Sequence, residues 1–115
     1  MTNSPELPFN SFGEDMVLTP HLDRYANGRL AITFLYYDDE MDMYAPFAKV
    51  TVNMPDDHLN EGEFFVKDWS ENAPLIEYLV SEGWLIHQGR EVLSGFIAPG
   101  VYRAAGPLLA FISAS

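Results

Sequence analysis

Asp38, Glu40 and Asp42 are the residues whose types and spacing come nearest to a recognisable chemistry. They would fill the first, third and fifth positions of a calcium-binding loop. The sixth position would then be Met43, where the sharp turn needs a glycine, and the twelfth Lys49, where a bidentate glutamate must close the site. The flanking residues alternate like strands, so the segment reads as a solvated hairpin tip. His21, His58 and His87 are far apart and form neither an H-x-x-x-H nor an H-E-x-x-H spacing, so a zinc site would have to be assembled in space. With no cysteine there is no thiolate ligand, cysteine nucleophile or disulfide. No nucleophile elbow, phosphate loop or dinucleotide fingerprint occurs. Paired carboxylates are abundant, but acid–base work on a glycoside needs two of them across a cleft that so small a domain rarely encloses. No catalytic activity, metal or cofactor is expected.

What remains is the charge itself. The net charge is −11, and residues 38–82 account for −10 of it, against −2 for residues 1–37 and +1 for residues 83–115. The acids fall in clusters: Asp38, Asp39, Glu40 and Asp42; Asp56 and Asp57; Glu61 and Glu63; Asp68 and Glu71. Charged turns keep a sheet soluble and blunt its edges. A block this lopsided also repels nucleic acid and anionic membranes while steering a basic partner inward. The partner expected is therefore a protein with a basic, nucleic-acid-binding surface, with no direct nucleic-acid contact.

These acids must be positioned by one domain, which is what 115 residues allow, with 48% hydrophobic residues to fill its core. Residues 1–17, with Pro5, Pro8 and Gly13 among few apolar positions, read as a loose arm, and residues 18–115 as the domain. Asn27-Gly28 marks a turn. Leu30 to Tyr37 alternates as a central strand with two apolar faces, and a return strand covers roughly Met43 to Met54. Pro46 has no backbone donor and belongs on an edge or at a bulge. After the acidic turn at Pro55-Asp56-Asp57 comes a short strand, Glu63 to Lys67. Ser70, Glu71 and Pro74 open a helix to about Glu82, with Leu75, Ile76, Leu79 and Val80 as its buried stripe and Gly83 as its stop. Trp84–His87 and Glu91–Ala98 read as a hairpin turning near Gln88-Gly89-Arg90. A last strand begins near Val101, and the apolar Ala104–Ala114 reads as its continuation or as an exposed patch. The expected fold is α+β, an antiparallel sheet with one main helix packed on one face. Tyr36-Tyr37 and Tyr44 should face each other across the hairpin. Trp69 and Trp84 flank the helix and read as packing under it, and these aromatics are either ordinary packing residues or interface anchors beside the acids.

Met1 to Phe12 lacks the basic residue and apolar run of a secretory signal, and no stretch reaches the roughly 20 apolar residues of a membrane span. A cytoplasmic protein, monomeric or weakly dimeric, is expected.

The ordered set Leu18-Thr19-Pro20, Tyr25-Ala26-Asn27-Gly28-Arg29-Leu30-Ala31-Ile32, Thr51-Val52-Asn53-Met54-Pro55, Phe64-Phe65-Val66-Lys67-Asp68-Trp69-Ser70-Glu71-Asn72, Gly89-Arg90 and Ser94-Gly95-Phe96 resembles a bacterial domain-of-unknown-function family of small acidic proteins. The resemblance spans about residues 18–103 and leaves the last twelve residues outside it. It implies a compact α+β fold, carriage on plasmids, conjugative elements and phages, and no known active site. Small acidic proteins in that setting often inhibit host defence, anti-CRISPR proteins that mimic DNA among them. On that reading Asp38, Asp39, Glu40, Asp42, Asp56, Asp57, Glu61, Glu63, Asp68 and Glu71 stand in for phosphates, with Tyr37, Tyr44 and Trp69 as anchors. The alternatives are an accessory binding module of a mobile element, pairing through its apolar C-terminal strand, and a small hydrolase.

Overall fold

The computed structural model describes residues 4–115, which run through strands β1 (Leu7–Ser11), β2 (Glu14–Arg24), β3 (Leu30–Asp38), β4 (Met43–Lys49), β5 (Thr51–Val52) and β6 (Glu63–Val66), helix α1 (Ala73–Ser81), strands β7 (Leu85–Glu91) and β8 (Gly100–Ala104), and helix α2 (Gly106–Ala114). The class is α+β, but the strands form two antiparallel sheets instead of one, in the orders β1-β2-β3-β4 and β5-β6-β8-β7. One length of chain joins them. At Val50 the N–H donates to Ile32 O in the first sheet (3.0 Å) and the C=O accepts from Lys67 N–H beside the second (2.8 Å). The expected strand from Met43 to Met54 is thus bent at Val50 and shared between sheets.

That corner is buried and its polar groups are satisfied. Thr51, 2% exposed, accepts a hydrogen bond from Ile32 N–H on its hydroxyl at 3.0 Å. The Tyr25 phenol lies 3.2 Å from Thr51 O, and Asn72, 4% exposed, donates from its amide to Lys49 O at 2.9 Å. A buried donor or acceptor left without a partner costs free energy, so these bonds fix where the chain turns.

The core lies where the inner faces of both sheets meet the helices. Leu18, Ile32 and Phe34 come from the first sheet, Val66 and Leu85 from the second, and Leu79 and Leu108 from the helices. Behind the second sheet Phe65 faces Val101 across the ladder, both buried, with the Arg29 guanidinium 5.9 Å from the Phe65 ring.

Several expectations change. Residues 7–17 are no loose arm: β1 pairs with β2 from Leu7↔Leu18 to Ser11↔Glu14, and Leu7 is buried. Pro8 misleads because β1 is an edge strand, where a missing donor is tolerated, and Pro5 lies before the strand begins. Pro46 sits, as expected, on the opposite edge strand beside a bulge, since Phe34 pairs with Ala48 and Leu35 with Pro46. Residues 70–72 form a 3₁₀ turn leading into α1, whose side chains Leu75, Ile76 and Leu79 are buried while Val80 is 42% exposed. The turn expected at Gln88-Gly89-Arg90 is an irregularity within β7, and the chain reverses later, through the Ser94↔Ile97 bridge. Residues 106–114 form a second helix, not a strand. Gly106 starts it at φ +50°, and a Cβ there would lie 2.8 Å from Gly83 O, which brings its first turn against the end of α1. No helix among the described residues is long and apolar enough to cross a membrane.

Thr51→Val keeps the shape of the corner but strands the Ile32 N–H. It should lower the unfolding free energy by about 1–3 kcal/mol in urea denaturation, with Thr51→Ser recovering most of the loss. Leu108→Ala should cost about 2–5 kcal/mol, as for any fully buried leucine, if α2 belongs to the core.

Candidate partner-binding face

The β3–β4 hairpin is built by its own acids. Asp38 accepts hydrogen bonds from the N–H groups of Glu40 (3.0 Å) and Met41 (3.3 Å), an Asx turn that starts the tip. Asp42 closes it in the left-handed region at φ +52°, and its carboxylate accepts the Tyr37 hydroxyl. That bond, with desolvation and the Asp39 charge as smaller causes, raises the Tyr37 phenol above its usual value, so it stays a protonated donor. Tyr37 pairs directly with Tyr44 in the ladder, their rings edge to face at 5.3 Å. Both are about half exposed, with Val17 beside them, on the outer face of the first sheet.

The fold adds two acids that the sequence clusters did not include. Glu14 and Asp15 on β2 share an open hollow of about 650 Å³ with Tyr37, Asp38, Asp39 and Glu40. No lysine or arginine lines it. The alternation of Met16, Leu18 and Leu22 with Val17, Thr19 and His21 is the signal that could have placed Glu14 and Asp15 on a strand.

The remaining predicted acids do not join this face. Glu63 is spent internally: its side chain is 2% exposed, Arg90 binds both oxygens, and Arg103 lies 3.7 Å away. The Arg90 hydrogen bonds, helped by Asn60 N–H, hold its carboxyl down to about 2 against the opposing effect of desolvation. Glu71 is likewise lowered to about 2, by Lys67 four residues earlier. Asp56, Asp57 and Glu61 lie on the Asn53–Gly62 loop, which Arg29 ties down through Met54 O (2.7 Å) and Asp57 O (2.5 Å). Asp68 accepts the Tyr102 hydroxyl at 2.9 Å on the second sheet, with half-buried Trp69 next to it. Trp84, by contrast, is a core residue, 6.2 Å from Phe34.

The basic residues explain why the hairpin tip is the uncompensated pole. All six are engaged elsewhere. Arg24 binds Gly28 O, Arg29 the acidic loop, and Lys49 stacks on Tyr25 at 4.7 Å. Lys67, Arg90 and Arg103 serve Glu71, Glu63 and the Glu61 carbonyl. As for metal chemistry, no group of three or more His, Asp or Glu side chains among the described residues is placed to hold an ion. The three histidines stay apart, His58 bonding Asn60 and His87 packing against Tyr102.

The Glu63 pair has a pH signature. A carboxylate lowered in the folded state adds stability above its ordinary value, 4.5, that is lost as pH falls toward about 2. Urea denaturation across that window should therefore show a decline that Glu63→Gln makes shallower, while destabilising the protein at neutral pH.

Set against family models, curated proteins and solved structures, the chain matches none of them.

Proposed function

We propose that this protein is a macromolecular inhibitor that occupies a basic, nucleic-acid-binding surface of its target with the acidic end of the first sheet. The observation that carries the reading is the uncompensated group Glu14, Asp15, Asp38, Asp39 and Glu40, flanked by the exposed Tyr37–Tyr44 pair. The carboxylates stand where phosphates would, and the tyrosines supply desolvated contact area beside them. Duplex DNA presents one charge per ~1.7 Å of axis, a density that a tight cluster of carboxylates can approach over a short stretch. The resemblance to acidic proteins of plasmids and phages supplies the setting: an anti-defence role, most directly as an anti-CRISPR protein against an effector complex in the host cytoplasm. The accessory-module alternative relied on a C-terminal strand for pairing, and residues 106–114 are helical, so it gains no support from this fold.

The test is competition. Guide-loaded CRISPR effectors are incubated with target DNA and increasing amounts of the protein, and bound DNA is measured. The protein should displace DNA at about 0.05 M salt and lose most of its effect by about 0.5 M, as screening predicts. Neutralising Asp38, Asp39, Glu40 and Asp42 to their amides should slow association by about tenfold or more at unchanged melting temperature. Full inhibition by that variant would sink the assignment of this face. Absence of competition across effector types would sink the anti-CRISPR role.

A further inference from the structure

The second sheet carries a groove that the hairpin tip does not share. Two adjoining open concavities, of about 470 and 390 Å³, have Asp68 and His87 in common and run between α1 and the turn after β7. Their polar floor depends on a missing side chain. A Cβ on buried Gly100 would lie 2.5 Å from an Asp68 carboxylate oxygen, 2.8 Å from the Tyr102 ring and 3.2 Å from His87 Nε2. Only glycine lets these three groups converge. The Tyr102 hydroxyl donates to one oxygen of Asp68, and the His87 ring stands edge-on to Tyr102 at 4.8 Å. His87 Nδ1 accepts the Gly89 N–H at 3.0 Å, which directs the neutral ring's proton to Nε2.

Around this floor the lining combines two features. Glu77 on α1 and Glu91 on β7 add carboxylates, neither with an ion-pair partner among the described residues, and no lysine or arginine lines either concavity. Between the acids lie apolar surfaces: half-buried Trp69, Val80 at 42% exposed, and Phe96, fully exposed on the Ser94–Ile97 turn. An acidic cluster alone would suit any cation, and an apolar groove alone any hydrophobe. The two together fit a side chain with an apolar stem and a planar cationic head, which can lie against aromatic rings while donating to carboxylates.

We propose that this groove is a second binding site, which receives an extended segment of a partner protein carrying an arginine next to an apolar residue. Asp68 and Glu91 accept from the guanidinium, and Trp69 and Phe96 flank its stem. The site is independent of the hairpin tip, so it stands or falls separately from the function proposed above.

The experiment is an amide-resonance NMR titration of the full chain with a capped heptapeptide, Gly-Ser-Leu-Arg-Leu-Ser-Gly, and with the same peptide carrying citrulline, the neutral isostere, in place of arginine. The arginine peptide should shift the resonances of Asp68, His87, Glu91 and Gly100 saturably, and citrulline should weaken binding by about tenfold or more. Asp68→Asn, which can still accept from Tyr102, and Glu91→Gln should each weaken the arginine peptide alone. Amidation of the hairpin tip should change nothing. Equal binding of the two peptides, shifts confined to the hairpin tip, or no saturable shift at any position would each overturn the proposal.

Discussion

The corner at Val50 and Thr51 is the constraint on which the rest of the structure rests. A strand that leaves one sheet and enters another must rotate its hydrogen-bonding plane, and at that point its backbone groups lose their regular partners. Here the substitutes come from distant elements. Ile32 completes two groups of the corner, and Lys67, Tyr25 and Asn72 supply partners for the others. Because Asn72 also stands at the entrance to α1, the same bond that satisfies Lys49 O sets the helix against both sheets. Val50 and Thr51 are buried, so their polar groups need partners from the protein, and the bend is specified by these contacts.

A further consequence concerns charge. With 17 acids and six bases, every cation spent inside the fold leaves an anion uncovered elsewhere. Arg29, Arg90 and Arg103 are drawn to the second sheet and the loop that covers it, because a nearly buried Glu63 and the carbonyls of a long loop require donors, and Lys67 is held by Glu71 four residues on. The first sheet's hairpin tip receives none. Its negative field thus follows from where the second sheet needs positive charge, and net composition alone does not locate it.

Periodicity made much of this legible. Leu30 to Tyr37 reads as an interior strand because both of its faces are apolar, and Tyr37 faces Tyr44 because the hairpin tip between them is short and polar. The α1 stripe was visible in Leu75, Ile76 and Leu79. What escaped the sequence was decided by tertiary contact. Pro8 suggests irregular chain, yet an edge strand tolerates it. Gly-Pro-Leu-Leu-Ala-Phe-Ile-Ser, from residue 106, is apolar on every side, so neither a strand nor a helix period stands out; in the fold it is a helix whose Leu108 is buried and whose first residue lies close to Gly83 O. Val80 belongs to the same apolar run as its neighbours but lies one step round the helix, over the groove. In sequence the acids form a linear block, and folding sorts them into ion pairs, a loop, a hairpin tip and a groove, taking Glu14 and Asp15 from outside the block.

The tip and the groove hold their carboxylates in different ways, and the difference bears on what each can recognise. At the tip Asp38 and Asp42 shape the turn that presents Asp39 and Glu40, so like charges are kept close by bonds that an amide could also make. Shape and charge are separable there. Mutual repulsion among these carboxylates raises the energy of the free protein, and salt or an incoming cationic surface relieves it. Recognition of that kind is long-ranged and tolerant of detail. In the groove Asp68 is fixed by Tyr102 against the bare backbone of Gly100, and the neighbouring surface mixes apolar side chains with Glu77 and Glu91. A ligand there must match position as well as charge, because burying a cation among apolar walls is favourable only when its donors find their acceptors. One chain thus presents a diffuse electrostatic face and a directed one, on two sheets that share a corner and a core.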